Sequence, residues 1–402
     1  MQQLPLIISQ LPSFQALFYI LSFSSFIWLV MAFLVLKQIL TRFSDVRKYS
    51  TFDKRKDFSA PKLTIVIPAR NEEKYIRRCV DSLLRQNYPD LEILVINDNS
   101  SDMTTDILNS IKNERVKVLS VETAPSGWAG KTWASQVGFN HATGDLILFT
   151  DADTNYFNKN ALLNSVTEME MTSSKVVTGV PLLELDDFYS KMVMPLLNLF
   201  VDCFGFSNTD EDKIIGSFFL VKREVLTSIK GFNRVKSSFQ EDSDIGIEIK
   251  KLGLKIRRIK LNKMVGAVWS RDYETLQHGI RRIVAYDFLR KKGEFMSSCF
   301  LLFTSVLIPY VLAVYNGMIY WINGSQMHYS FLIWNLTLCL IPILGYAIVN
   351  RIKHGSQTLY CFMVFPASCF LFFSLLTSVA RFAMNPSKKE IVWKGVKYVV
   401  AN

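Results

Sequence analysis

Apolar positions along this 402-residue chain fall into runs of different period, and each period predicts a different element. Residues 14–36 form an uncharged, mostly apolar stretch of about 23 positions, enough to cross a bilayer. Lys37, Arg42, Arg47, Lys48, Lys54, Arg55 and Lys56 follow, with only Asp45 and Asp53 among them. A cleaved signal peptide would be shorter and carry its charge in front. The pattern instead predicts a retained anchor over residues 1–40, with its N-terminus outside. A basic juxtamembrane linker over 41–61 then lies on the cytosolic side, against anionic headgroups.

Residues 62–271 change register. Leu63–Ile67 is a short apolar, β-branched run ended by Pro68, which predicts a buried strand. Asn71 then reads as a helix N-cap with Glu72 and Glu73 in the first turn. Ile76, Val80, Leu83 and Leu84 recur at helical spacing. Strands follow at Leu91–Ile96, Val116–Val121 and Leu146–Thr150, and helices at Asp102–Ile111 and Lys131–Ala142. Strand and helix alternate, so an α/β domain is expected, with a parallel sheet covered on both faces and ligands beyond the C-terminal strand ends.

The remaining apolar segments are longer or amphipathic. Residues 192–206 are short and contain Pro195 and Asp202, which predicts an interfacial or core helix. Residues 272–294 place Leu276, Ile280, Ile283, Val284 and Phe288 on one helical face among Arg281, Arg282, Arg290, Lys291 and Lys292, the pattern of a helix lying on a membrane surface. Three stretches near 296–320, 330–350 and 358–382 are long enough to span, giving C-terminal membrane helices over 295–382 and a basic tail over 383–402. Four spans from an outside N-terminus put that tail outside, whereas Arg381, Lys388, Lys389, Lys394 and Lys397 prefer the cytosol. Charge and span count therefore disagree, unless one stretch is re-entrant or interfacial.

Composition narrows the class. Half of all residues are hydrophobic and only 20% charged, as for a membrane protein with one soluble part. The net charge of +11 comes from basic residues that border apolar runs, which fits membrane topology and not a nucleic-acid partner. Cys79, Cys203, Cys299, Cys339, Cys361 and Cys369 form no CxxC and read as free thiols.

Four polar clusters interrupt the apolar pattern. Asp98 directly follows a buried strand, where a carboxylate accepts bonds from a ribose hydroxyl or a base N–H. The plainer reading is a turn at Asn99-Ser100 with Ser101 or Asp102 capping the next helix. Asp151-Ala152-Asp153 follows another strand. In extended backbone alternate side chains point the same way, so two hard oxygen donors would converge on Mg²⁺ or Mn²⁺. A strand-end Asx turn is the alternative. Glu241-Asp242 stands before an Ile245–Leu252 helix, either as a general base or as ordinary acids favoured at a helix N-terminus. In Ser126-Gly127-Trp128-Ala129-Gly130-Lys131, a helix N-terminus plus an ammonium suits an anion, but the spacing is not that of a P-loop. Trp128 either stacks on a ligand or plugs the space under a loop. There is no GxGxxG after the first strand, no HExxH and no nucleophile elbow, which leaves oxidoreductase, metalloprotease and hydrolase readings without support.

In this order the motifs resemble glycosyltransferase family 2 over about residues 62–292. Val66-Ile67-Pro68-Ala69-Arg70-Asn71-Glu72 resembles the family's opening strand and nucleotide loop. Asp98 matches the acid that holds the base, and Asp151-Ala152-Asp153 the metal-binding DxD, with Asp153 the direct ligand. Gly216-Ser217-Phe218-Phe219-Leu220 resembles the acceptor-side segment, and Glu241-Asp242 the ED pair, with Asp242 the base. The resemblance implies a GT-A fold (α/β, Rossmann-like, mostly parallel) and transfer with inversion, using Mg²⁺ or Mn²⁺ at Asp153 and Asp151. Pro68, Arg70, Asn71, Glu72, Asp98, Lys131 and Asp151 would meet the nucleotide sugar, with Arg281 or Arg282 reaching the diphosphate. Gly216, Ser217 and Trp128 would face the acceptor.

Processive polysaccharide synthases carry QxxRW. The segment Gln277-His278-Gly279-Ile280-Arg281-Arg282 does not match it, which favours single transfer. The Gly127–Lys131 loop and Trp393-Lys394-Gly395 resemble the subgroup that glycosylates carotenoid, hopanoid or sphingoid lipids. The expectation is transfer of one hexose from a nucleotide sugar, UDP-linked, to a membrane lipid at the cytosolic face. The alternatives are a polysaccharide synthase with a divergent gate, or a non-catalytic scaffold or transport protein that kept the fold.

Overall fold

In the computed structural model the described residues are 60–204, 214–238, 240–290, 303–353, 358–384, 390–393 and 396–399, with isolated positions between 20 and 30 and between 293 and 300. The chain divides into two compact units. One comprises Phe52–Asp186, Thr209–Arg271 and Asn385–Asn402, and the other Met1–Thr51, Asp187–Asn208 and Asp272–Met384.

The first unit is built on strands β1 (Leu63–Ala69), β2 (Leu91–Asp98), β3 (Val116–Val121), β4 (Leu146–Phe149), β5 (Thr154–Asn155), β6 (Val176–Val180), β7 (Leu182–Glu184), β8 (Phe219–Lys222), β9 (Ile256–Lys260) and β10 (Gly266–Val268). Seven of them form one sheet in the order β3-β2-β1-β4-β8-β6-β9. β1 runs parallel to β2 and β4, while β8 is antiparallel to both β4 and β6. The sheet is thus mostly parallel with one reversed strand. A second, three-stranded sheet has the order β5-β10-β7. Residues 390–393 and 396–399 form an antiparallel hairpin.

Helices α1 (Ile76–Leu84), α2 (Thr104–Asn109), α3 (Gly130–His141), α4 (Ala161–Met171), α6 (Arg223–Ser228) and α7 (Glu241–Lys251) belong to this unit, and α5 (Phe188–Phe204) to the other. Alternation along β1 explains its unbroken apolar run, because both faces are covered. Leu63, Ile65 and Ile67 join Ile76, Val80 and Leu83 of α1 and Leu162 and Val166 of α4. Val66 joins Ala134 and Val137 of α3 and Ile245 and Ile249 of α7 on the opposite face. The approach of α3 requires Gly138, since a Cβ there would lie 2.2 Å from Val66 Cγ1.

Two local expectations give way. β1 does not stop at Pro68 but continues to Ala69. β4 pairs with β1 only as far as Val66, so the missing N–H of Pro68 falls where β1 has lost that neighbour. Asn71 is not a helix cap. Its φ is +54°, and α1 begins only at Ile76, after Tyr75 and Ile76 donate to the Glu72 carbonyl.

The second unit contains α5, α8 (Tyr273–Arg290), α9 (Ile308–Asn323), α10 (Gln326–Lys353) and α11 (Val364–Met384). Among the described residues two helical segments, Gln326–Ile348 and Leu359–Ala380, are long and apolar enough to cross a membrane. α9 has 16 residues, a rise of about 24 Å. Within this unit the Tyr346 hydroxyl donates to the Lys191 carbonyl, and Gln277 Nε2 donates to Ser374 Oγ at 3.0 Å. The expected N-terminal anchor lies outside the described residues apart from isolated helical positions, as do its basic flank and most of the tail.

Glu92, buried at the start of β2, ties strands and loops together. It accepts bonds from Thr64 Oγ1 at 2.7 Å, Thr143 Oγ1 at 2.8 Å and the Thr143 N–H at 3.1 Å, and pairs with Lys117 at 2.8 Å. Burial alone would raise its pKa, but these donors outweigh burial and bring it from 4.5 to about 2. A depressed carboxylate contributes stability that is complete above about pH 4.5 and lost as pH falls toward 2. Thermal unfolding of the purified protein between pH 2 and 6 checks this. Glu92→Gln is expected to flatten the acid slope, removing on the order of 3 kcal/mol at neutral pH. An unchanged slope would show that Glu92 is not the group responsible.

Candidate active site

The C-terminal ends of β1, β2 and β4 deliver three loops to the same edge of the sheet. Asp98 ends β2 and is buried. Arg70, just beyond β1, sets Nη1 3.4 Å from both Asp98 Oδ2 and the Asp98 carbonyl. The two loops are stitched together, because the Asn71 N–H donates to Ser100 Oγ at 3.1 Å and the Ser101 N–H donates to Asn71 Oδ1 at 2.9 Å. Asn71 and Asn99 both take positive φ, a conformation that asparagine tolerates better than most residues. Glu72 is buried below them, and its backbone N–H donates to Thr104 Oγ1 at 2.7 Å. Pro68 is half-buried in the last part of β1.

The DxD segment is a turn, not the extended backbone expected of it. The Thr154 N–H closes onto the Asp151 carbonyl at 3.2 Å, and Thr154 Oγ1 donates to the same oxygen at 2.8 Å. β4 ends at Phe149, so Asp151 and Asp153 lie on a turn beyond the strand and not within its alternation. α1 supports this turn from below. Arg78 Nη2 donates to the Asp153 carbonyl at 3.2 Å while Nη1 pairs with Glu184 at 2.7 Å. The Cys79 thiol, which burial pushes up to about 12, lies 3.7 Å from the Asp151 carbonyl. Thr150 Oγ1 donates to the Ser217 carbonyl at 2.8 Å, linking the end of β4 to the segment that enters β8.

A second group gathers where α3 and α7 begin. Lys131, in the first turn of α3, sets Nζ 2.7 Å from Asp151 Oδ1 and 2.8 Å from Glu241 Oε1. Burial alone would lower the Lys131 pKa, but Asp151, Glu241 and Asp242 together hold it above its ordinary value. Asp242 Oδ2 accepts the Gly216 N–H at 3.1 Å, and Oδ1 accepts the Ser243 N–H at 2.7 Å. Glu241 is buried, while Asp242 is half-exposed. Gly216 lies close to both, since a Cβ there would sit 3.1 Å from Asp242 Oδ2 and 3.4 Å from Lys131 Nζ, so any larger residue would press on these two side-chain ends.

Lys131, Asp151, Gly216, Glu241 and Asp242 therefore meet in one place, and Arg70, Asn71 and Asp98 in another along the same strand ends. Trp128 is half-buried, edge-on to Trp133 with ring centroids 5.2 Å apart, and packs on the α3 face of the core. Arg281 and Arg282 lie on α8 in the other unit, and the Arg282 side chain is outside the described residues. No cluster of three His, Cys, Asp or Glu side chains able to hold a metal occurs among the described residues. The candidate donors are the two carboxylates of the Asp151–Asp153 turn.

Arg78 and Arg271 carry no sequence signal. Arg78 sits in a helix where a basic residue reads as solvated surface. The contact of Arg271 with Glu72 spans 199 positions. Arg271 pairs with the buried Glu72 carboxylate, donates to the Asn71 carbonyl at 3.0 Å and lies 5.1 Å over the Tyr75 ring.

A mostly parallel sheet with one reversed strand and acidic turns at its C-terminal strand ends is a GT-A fold. Residues 64–229 match the family described as Glycosyl transferase family 2. The probable glycosyltransferase YdaM of Bacillus subtilis is 26% identical over 332 residues, covering 73% of this chain and 77% of that protein. A 4,4'-diaponeurosporenoate glycosyltransferase of Staphylococcus aureus is 34% identical over 134 residues, 33% of this chain and only 35% of that relative's length. Among solved structures, the mannosyltransferase PcManGT from Pyrobaculum calidifontis, in complex with GDP-Man and Mn²⁺, aligns with a TM-score of 0.51 at 18% identity. That alignment covers 88% of this chain and 99% of the mannosyltransferase and shows a shared fold.

The Arg271–Glu72 pair is open to test by unfolding. Removing one partner of a buried ion pair leaves the other charge stranded, at about 3 kcal/mol or more. Arg271→Gln is expected to lower the melting temperature, and Arg271→Gln with Glu72→Gln to recover most of the loss. Equal melting of the single and double variants would show that the pair is not coupled.

Proposed function

We propose that this chain moves a single hexose, with inversion, from a nucleotide sugar to a membrane-lipid hydroxyl at the cytosolic face. The observation that carries this reading is the convergence of Asp242, half-exposed and oriented by two backbone N–H groups, with the strand-end turn at Asp151. A displacement at a sugar carbon needs a base on the acceptor side and charge stabilisation on the leaving-group side. Asp242, next to the Gly216-Ser217 segment, takes the acceptor proton. Asp98 and Arg70, with Pro68, Asn71 and Glu72 behind them, hold the nucleoside end. The turn at Asp151–Asp153 faces the diphosphate. Trp128 is assigned to the acceptor side.

The donor set fits a hard divalent cation. Mg²⁺ and Mn²⁺ accept oxygen ligands and are commonly held by one or two carboxylates completed by substrate phosphates, so a cage of three protein ligands is not required. Asp153 is the direct ligand in this assignment and Asp151 its neighbour. When bound, the ion supplies positive charge to the departing diphosphate. The neighbour solved with GDP-Man and Mn²⁺ supports both the ion and a nucleotide-sugar donor.

The lipid acceptor rests on the two apolar helical segments, on the basic flank of the N-terminal run and on chemical need, because a soluble donor must meet an insoluble acceptor. A carboxyl acceptor is the second reading, favoured by the relative named for diaponeurosporenoate. The two readings differ at Asp242, since a carboxylate arrives with no proton to lose.

Purified protein in detergent, given UDP-hexose, Mn²⁺ and a membrane lipid extract, is expected to release UDP and form a glycolipid. Asp242→Asn is expected to bind donor within about threefold of wild type and to lose transfer by a factor of roughly 10²–10⁴. Transfer at a near-normal rate would remove the base role and point to the carboxyl acceptor. No UDP release from any nucleotide sugar would sink the proposal.

A further inference from the structure

The sequence suggested an anion site at the start of α3, with Lys131 as its ammonium, but the bonds Lys131 makes are to protein carboxylates. Its Nζ lies 2.7 Å from Asp151 Oδ1 and 2.8 Å from Glu241 Oε1. An ammonium has three donors, and two are spent here. Asp242 stands beside the same ammonium, close enough that a Cβ on Gly216 would contact both. Three carboxylates from two elements, Asp151 on the turn after β4 and Glu241 with Asp242 on α7, thus share one cation.

We infer that Lys131 is the positioning residue of the reaction centre: its ammonium joins the strand-end turn at Asp151 to the first turn of α7 at Glu241, and so fixes where Asp242 stands. The inference rests on the reading of Asp242 as the base. Like charges this close repel, and each raises the protonation of its neighbours. A cation in permanent contact offsets that repulsion. The ammonium, bonded to carboxylates from both elements, therefore acts as the counter-charge between them. The ordered backbone N–H groups of Gly216 and Ser243 then orient a carboxylate whose surroundings are already set.

Lys131→Met, Lys131→Arg and Glu241→Gln separate this role from donor binding and from plain packing. Lys131→Met is expected to lower kcat roughly 100-fold with donor KM within about threefold. Glu241→Gln, which breaks the tie to α7 and keeps the ammonium, is expected to lower kcat in the same way. Lys131→Arg keeps a donor between the two carboxylates and is expected to recover most of kcat. A rise in donor KM at unchanged kcat would overturn the inference in favour of a donor-phosphate ligand. Loss of kcat in Lys131→Arg equal to that in Lys131→Met would overturn it in favour of packing.

One readout is independent of transfer. In thermal unfolding, the losses of melting temperature in Lys131→Met and in Glu241→Gln are expected to be non-additive in the double variant, because both remove the same tie between α3 and α7. Additive losses would overturn the bridging role. If the wild type transfers no sugar, the proposed function fails while this cycle still decides Lys131.

Discussion

Carboxylates brought within reach of one another repel unless a cation stands between them, and in this domain that cation is the Lys131 ammonium. Its bonds to Asp151 and Glu241 tie the end of β4 to the start of α7. Each partner comes from an element anchored by burial. β4 is buried along its length, and Ile245 and Ile249 of α7 pack on Val66 and Phe149 through the same core layer. α3, which carries Lys131, reaches that layer only because Gly138 lets it settle onto Val66. The site is therefore the polar end of an apolar stack. The sheet fixes the backbone positions, and one ammonium lets like charges occupy them.

The loops after β1 and β2, proposed to meet the nucleotide, are held by hydrogen bonds between them and to a distant segment. Asn71, Ser100 and Ser101 stitch the loops after β1 and β2, and Arg271 clamps the Asn71-Glu72 turn from a segment distant in sequence. The DxD turn is held from α1 by Arg78 and Cys79 and, through Thr150, is connected to Ser217. Catalytic groups that must keep their geometry through a displacement profit from such support, because sub-ångström errors in placement are costly in rate.

Much of this was legible in the sequence, for a physical reason. A strand buried on both faces must be continuously apolar, so β1, β2 and β4 announced themselves, and the acids Asp98 and Asp151 stood out as polar residues just where apolar runs stopped. Local signals failed where tertiary contacts override them. Asn71 has the chemistry of an N-cap but is drawn into the neighbouring loop instead. The DxD segment follows a strand, yet Thr154 folds it into a turn. Arg78, Arg271 and the carboxylate partners of Lys131 were invisible because each contact joins residues dozens to hundreds of positions apart, and no local pattern encodes such a pairing. The order of the acids along the chain was readable, but the cation that lets them coexist was not.

The account reduces to one chemical consequence. If Asp242 deprotonates the acceptor while the diphosphate leaves from the turn at Asp151–Asp153, attack comes from the face opposite the leaving group and the sugar's anomeric configuration inverts in a single step. Proton NMR of the glycolipid formed by the purified enzyme from an α-linked nucleotide hexose reads this directly through the anomeric coupling constant. The account predicts a β-linked product. An α-linked product would contradict it, because retention requires a different placement of nucleophile and leaving group than the one assigned to these residues.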